Sequence, residues 1–245
     1  MPFGWFGGTE KLDQQKTALR ECKESLAFLE KRVAHLAHLE AKFADVWPQN
    51  SGVPDELRAK AGTIRRLVDL LAQQAASAKR ELANFDDDID LLKGELPLLH
   101  RDWQAFTGLL VARRSIASGE LAIGPTSDPP TVSDCQRALI AIAERQRDRL
   151  RRHVDELTEV KPTFDGPWPK DLDLGRVDAG IRDVSGALDV YRERIRGGEL
   201  AIDSTATLWE MIETMQASLA TIQDRRPELA VHTLLKGMFD NAEKG

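Results

Sequence analysis

A chain of 245 residues with a formal net charge of −6 and no basic half (17 basic against 18 acidic residues in 1–125, 17 against 22 in the rest) is a poor partner for nucleic acid. Its hydrophobic content of 42% excludes wholesale disorder, while 6% aromatic against 30% charged residues points to long helices with narrow apolar seams rather than a thick globular interior. No apolar run reaches spanning length and no basic-then-apolar leader opens the chain, so a cytoplasmic protein is the expectation.

Residues 1–8 set Phe3, Trp5 and Phe6 among glycines. They read as a flexible tail. Its aromatics either tuck onto a neighbouring helix or anchor in a membrane interface or partner pocket, since Trp and Phe favour such boundaries. A first helix is predicted over 9–46, capped by Thr9. Its stripe includes Leu19, Cys22, Leu26, Leu29, Val33, Leu36, Leu39 and Phe43, with a heptad slip where steps of three follow each other at Val33–Leu36–Leu39. Trp47-Pro48 ends it, because proline disfavours helix in the residue before it.

From Leu57 to Leu110 apolar residues alternate steps of four and three without a miss, the pattern of a packed helical seam. Gly94 and Pro97 fall inside this run. The alternatives are one kinked helix or a turn at 94–97 that folds the chain back. The turn is preferred, because 9–46 and 54–93 then match in length. Residues 124–132 read as a linker through Gly124, Pro125, Pro129 and Pro130, with Thr131 or Ser133 as the next cap. A helix with Cys135, Leu139, Ile142, Leu150, Val154 and Leu157 on one face follows, then a break over 162–169 around Trp168. Residues 171–196 carry a regular heptad (Leu174, Val177, Ile181, Val184, Leu188, Tyr191, Ile195) stopped by Gly197-Gly198. A helix over 204–225 is expected with a Thr207/Glu210 capping box, and a short last helix starting at Pro227.

Two echoes tie these elements together. Gly-Glu-Leu-Ala-Ile occurs at 119–123 and again at 198–202, 79 positions on. Leu29, Val33, Leu36, Phe43 and Trp47 return as Leu150, Val154, Leu157, Phe164 and Trp168, each 121 positions on. The reading is an all-α, elongated antiparallel helical bundle of coiled-coil character, built as two related units in tandem. The units are 9–123, with three helices and a break near 94–97, and 133–245, with three long helices and a short C-terminal one. Trp47, Gly119, Trp168 and Gly198 are its expected structural corners.

Chemistry is sparse. Phosphate-loop, dinucleotide, zinc-protease and serine-hydrolase motifs are absent from the sequence. The residues three before each histidine are Arg32, His35, Pro97, Leu150 and Leu229, so the Glu-x-x-His pair of di-iron bundles does not occur. His35 and His38 share a helix face but supply only two ligands, and the acidic group Asp86, Asp87, Asp88 and Asp90 lacks calcium-loop spacing. Cys22 and Cys135 read as buried small hydrophobes in a reducing compartment. Arg145, Arg149 and Arg152 line one helix face; a salt-laced surface is the plain reading, an acidic partner or anionic lipid the sharper one. No catalytic, cofactor or metal residues are assigned. The expected function is a non-enzymatic scaffold or adaptor working through helix-to-helix contacts in an oligomer. The alternative is a peripheral membrane-binding protein using the 1–8 aromatics and the arginine face.

Overall fold

The computed structural model describes residues 7–48, 52–76, 85–121, 123–164, 166–197 and 203–242. Every regular element among them is helical: α1 (Gly7–Ala34), α2 (Leu36–Lys42), α3 (Val53–Ala76), α4 (Phe85–Ala117), α5 (Val132–Val160), a 3-10 turn (Lys161–Thr163), α6 (Leu174–Gly197) and α7 (Asp203–Ala242). The chain divides into two compact units, 1–110 and 111–245. The boundary falls within α4, before the proline-rich segment where composition places it.

In the first unit α1 starts at Gly7, so Thr9 lies in the first turn instead of capping it. The long first helix is not continuous. It breaks at His35, at the slip in the heptad, and its last segment ends at Lys42 rather than 46. Successive steps of three overwind a helix. Accordingly the His35 N–H reaches both the Lys31 carbonyl (3.2 Å) and the Arg32 carbonyl (3.1 Å), the second being the tighter 3-10 bond. Overwinding keeps Val33, Leu36 and Leu39 all facing the core.

Side-chain ties fix the directions. Arg65 of α3 holds Glu30 of α1 (Nε to Oε1 2.7 Å), and Lys60 of α3 pairs with Asp102 of α4, so α3 runs antiparallel to both neighbours. Gln15 donates to Asp86 (2.6 Å) and Phe28 lies beside His100 (6.3 Å between rings), which sets α1 and α4 parallel. The interior is the predicted seam: Leu26, Leu29 and Leu36, then Leu57, Val68 and Leu71, then Leu92, Leu99, Trp103 and Phe106. Each such side chain taken from water contributes about 1.5–3 kcal/mol.

The expected turn at 94–97 is not there. α4 continues through Gly94 and Pro97. Pro97 is exposed, while Leu92, Leu96 and Leu99 are buried. The proline lacks its N–H on the wet side of the helix, where water serves the Lys93 carbonyl that it leaves without a donor. Three buried rows held in register offset that local cost. α3 is described as far as Ala76, and residues 77–84 of the expected second run lie outside the described residues.

The second unit repeats the up-down-up order. Arg151 pairs with Asp178 and Arg192 with Glu144, which makes α5 and α6 antiparallel. The Gln136 amide donates to the Thr205 hydroxyl (3.1 Å) and Arg226 pairs with Glu156, so α7 lies parallel to α5. α6 begins at Leu174, three residues after the expected start. α7 is one 40-residue helix. It runs through exposed Pro227, so no separate last helix forms there. Flanking ties hold it: Arg225 to Asp171 (2.7 Å) and Arg226 to Glu156, with Leu229 buried. Because α7 starts at Asp203, Thr207 sits a turn inside it and not at its cap.

The 121-residue echo falls on the first arm of each unit: Leu29, Val33 and Leu36 are buried on α1 and α2, as Leu150, Val154 and Leu157 are on α5. The 79-residue echo does not fall on matching places. Its first copy follows α4, a third arm, whereas 198–202 lies between α6 and α7, after a second arm, and outside the described residues.

Candidate interaction surfaces

The best-built polar constellation is the entry to α5. Thr131 caps the helix: its hydroxyl accepts from the Asp134 N–H (3.1 Å) while Asp134 Oδ2 accepts from the Thr131 N–H (2.8 Å), a reciprocal capping box. Ser127 donates to the same carboxylate through its N–H (3.2 Å) and hydroxyl (2.9 Å). Arg137 pairs with Asp134 and reaches back to the carbonyls of Ile123 (3.2 Å) and Pro125 (2.9 Å). Asp134 is only 4% exposed. Burial by itself would raise its pKa. The Thr131 backbone and hydroxyl, Arg137 and Ser127 outweigh that and hold the carboxyl well below the ordinary carboxylate range. This clamp organises the connection; it presents no open ligand position.

The arginine face on α5 separates into used and unused groups. Arg147 pairs with Asp148 (2.7 Å) and Arg151 with Asp178. Arg145 donates to the Glu120 carbonyl (2.8 Å). Arg149 and Arg152 are exposed and make no ion pair among the described residues. Phe3, Trp5 and Phe6, the other half of the membrane expectation, lie outside the described residues.

The two tryptophan corners differ. Trp47 meets Phe106 of α4 edge-on, 5.4 Å between centroids at 85°. Trp168 is held locally: its indole N–H donates to the Leu172 carbonyl (2.8 Å), Phe164 meets it edge-on at 5.7 Å, and the Lys161 ammonium lies 5.3 Å above the ring. Gly119 follows the end of α4 with φ +68°, the left-handed conformation that a helix C-terminus asks of glycine. Gly198 lies outside the described residues.

Asp86 accepts from Lys11 (2.8 Å) and Gln15 (2.6 Å), and the Lys11 contact holds its carboxyl below the usual range. The His35 and His38 rings lie 4.5 Å apart, tilted by 35°. No group of three or more His, Cys, Asp or Glu side chains is arranged to hold a metal among the described residues. Cys22 and Cys135 are free and buried, and burial pushes both thiols up.

Two clefts and three exposed leucines stand out. In the second unit a cavity of about 510 Å³ opens between α6 and α7, floored by Leu150, Ile181 and Met215 and rimmed by Asp173, Arg176 and Ser218. In the first unit Phe28, Leu96, Pro97 and His100 line a groove of about 510 Å³ between α1 and α4. On the outer side of that unit Leu70 (48% exposed), Leu91 (52%) and Leu98 (49%) face solvent. The sequence marks these leucines only as residues off the regular row, and it marks the clamp through the Thr-x-x-Asp capping signature at 131–134. No helix among the described residues is long and apolar enough to cross a membrane. Comparison with known protein families, with characterised proteins and with solved structures found no match.

Proposed function

We propose that the protein is a non-enzymatic helical scaffold or adaptor of the cytoplasm, acting through helix-to-helix contacts with protein partners in an oligomer. The observation that carries this reading is the outward placement of Leu70, Leu91 and Leu98 on one three-helix unit whose own seam is already filled. Apolar side chains that the unit does not need for its core are available to another helix. In this reading the two up-down-up units are related in tandem, with coiled-coil-like seams, and the 121-residue echo is the trace of that relation.

A second reading is favoured by the free guanidinium groups of Arg149 and Arg152 on one face of α5. They would meet anionic lipid while Phe3, Trp5 and Phe6 insert, since stable anchoring takes two signals. Vesicle flotation separates the two. The scaffold reading expects the full chain to stay with the unbound fraction on phosphatidylserine vesicles. Flotation that is lost on removing 1–8 or on Arg149→Glu with Arg152→Glu would establish the lipid reading in its place.

A further inference from the structure

α4 carries a second row of residues, turned away from its own core. Its buried row is Phe85, Ile89, Leu92, Leu96 and Leu99. Two positions after each comes Asp87, Leu91, Gly94, Leu98 and Arg101, all exposed. Two residues turn a helix by roughly 200°, so this row lies opposite the buried one. Its steps are four, three, four and three, the spacing of a helical seam. It reads almost the same in both directions: acid, leucine, glycine, leucine, base.

We propose that this face is the docking surface for α4 of a second copy of the chain, antiparallel, about a two-fold axis between Gly94 and Glu95. A two-fold contact uses one patch twice, so the patch must complement itself. This one does. About that axis Leu91 falls on Leu98 of the other copy, and Asp87, with half-buried Asp88 beside it, falls near Arg101 of the other copy. The glycines meet at the crossing, where the lack of a side chain lets the two backbones approach. Nothing of the chain itself fills that space, since a Cβ added at Gly94 would meet no atom within 4 Å. The α3–α4 register set by Lys60 and Asp102 places Leu70, also exposed, at about the level of Leu91 along the unit. Asp87 has no ion-pair partner among the described residues of its own chain.

The contact is short. From 87 to 101 a helix spans about 21 Å. Such a pair buries less than the roughly 1,200 Å² of a standard stable interface, so the dimer is a weak one, forming on the order of 10–100 μM. The proposal rests on the scaffold reading and names its partner.

Sedimentation equilibrium of the full chain across that range is the test. The wild type should move from monomer to dimer. Leu98→Asp should weaken association at least about 100-fold, because symmetry counts the lost burial twice, with helix content by circular dichroism unchanged. Asp87→Arg alone and Arg101→Asp alone should each weaken it about tenfold, and the two together should restore it. Gly94→Cys should cross-link into a disulfide dimer under mild oxidation, whereas Lys93→Cys, off the row, should not; the buried native thiols give little background. A wild type that stays monomeric throughout overturns the proposal, as does a dimer indifferent to Leu98→Asp or a charge swap that does not recover. Monomers that also stay off vesicles remove self-docking alone. Flotation dependent on 1–8 removes the scaffold reading itself.

Discussion

Asp134 concentrates more interactions than any other charged side chain described. It serves as helix cap, as ion-pair partner and as anchor for the preceding loop. Its carboxyl has a folded-state pKa below the unfolded value, near 3.9. The sign follows: the unfolded chain takes up the proton first as pH falls. The stability that Asp134 contributes is therefore complete above about pH 4–5 and is lost progressively below that range. Asp134→Asn should flatten the acid limb of a urea-denaturation series and cost about 1–2 kcal/mol at neutral pH, with Thr131→Ala costing about 1 kcal/mol. At the other end of the connection, Gly119→Ala places a Cβ on a φ of +68° and should cost about 1 kcal/mol by the same assay. Thr131 was legible as one of two possible caps, beside Ser133. The burial of Asp134 was not, because a Thr-x-x-Asp pattern does not reveal that the connection over 118–131 will fold over it.

At the scale of the element, the two prolines are instructive. Pro97 read as part of a turn and Pro227 as the start of a new helix, and each lies on the wet face of a continuing helix. Local cost was visible in the sequence; the tertiary packing that overrides it was not. For Pro97 the unbroken apolar register was the better guide, since a fold-back would have scattered Leu92, Leu96 and Leu99 from the row in which they are all buried. Pro97→Ala should therefore stabilise the first unit, by up to about 3 kcal/mol, without lengthening or re-registering α4. Chemical denaturation gives the first part, and an unchanged far-ultraviolet spectrum gives the second. The heptad slip at Val33–Leu36–Leu39 was legible as a fault in the pattern. That the chain resolves it by tightening at His35, and so divides α1 from α2, needed the backbone. The outward row of α4 was hidden for a different reason: two leucines in five positions, mixed with acid, glycine and base, do not register as periodic hydrophobicity.

At the scale of the whole molecule, the all-helical class and most of the buried seam could be read from spacing alone. The order of helices within each unit could not, because an apolar stripe states that a face is covered and not by which neighbour. The Gly-Glu-Leu-Ala-Ile echo shows the difference, since its copies follow a third arm and a second arm. The cysteines give each unit its own reporter: Cys22 in the first, Cys135 in the second, both buried. Neither thiol should react with an aromatic disulfide reagent in the native chain, and both should do so in denaturant. Their separate labelling rates, read by mass spectrometry, should follow the opening of the unit each belongs to. Rapid native labelling of either would contradict the packing around it.

The hold of Arg137 on the carbonyls of Ile123 and Pro125 changes what the Pro-rich stretch can do. A segment with that composition would ordinarily serve as a swivel or as the natural place to splice in extra sequence. Here it is stitched to the start of α5 at Ile123, Pro125 and Ser127, and Arg145 of the same helix holds the Glu120 carbonyl before it. A tag inserted after Pro125 should pull out the stitches and unwind the start of that helix, a loss of helix content that circular dichroism would report.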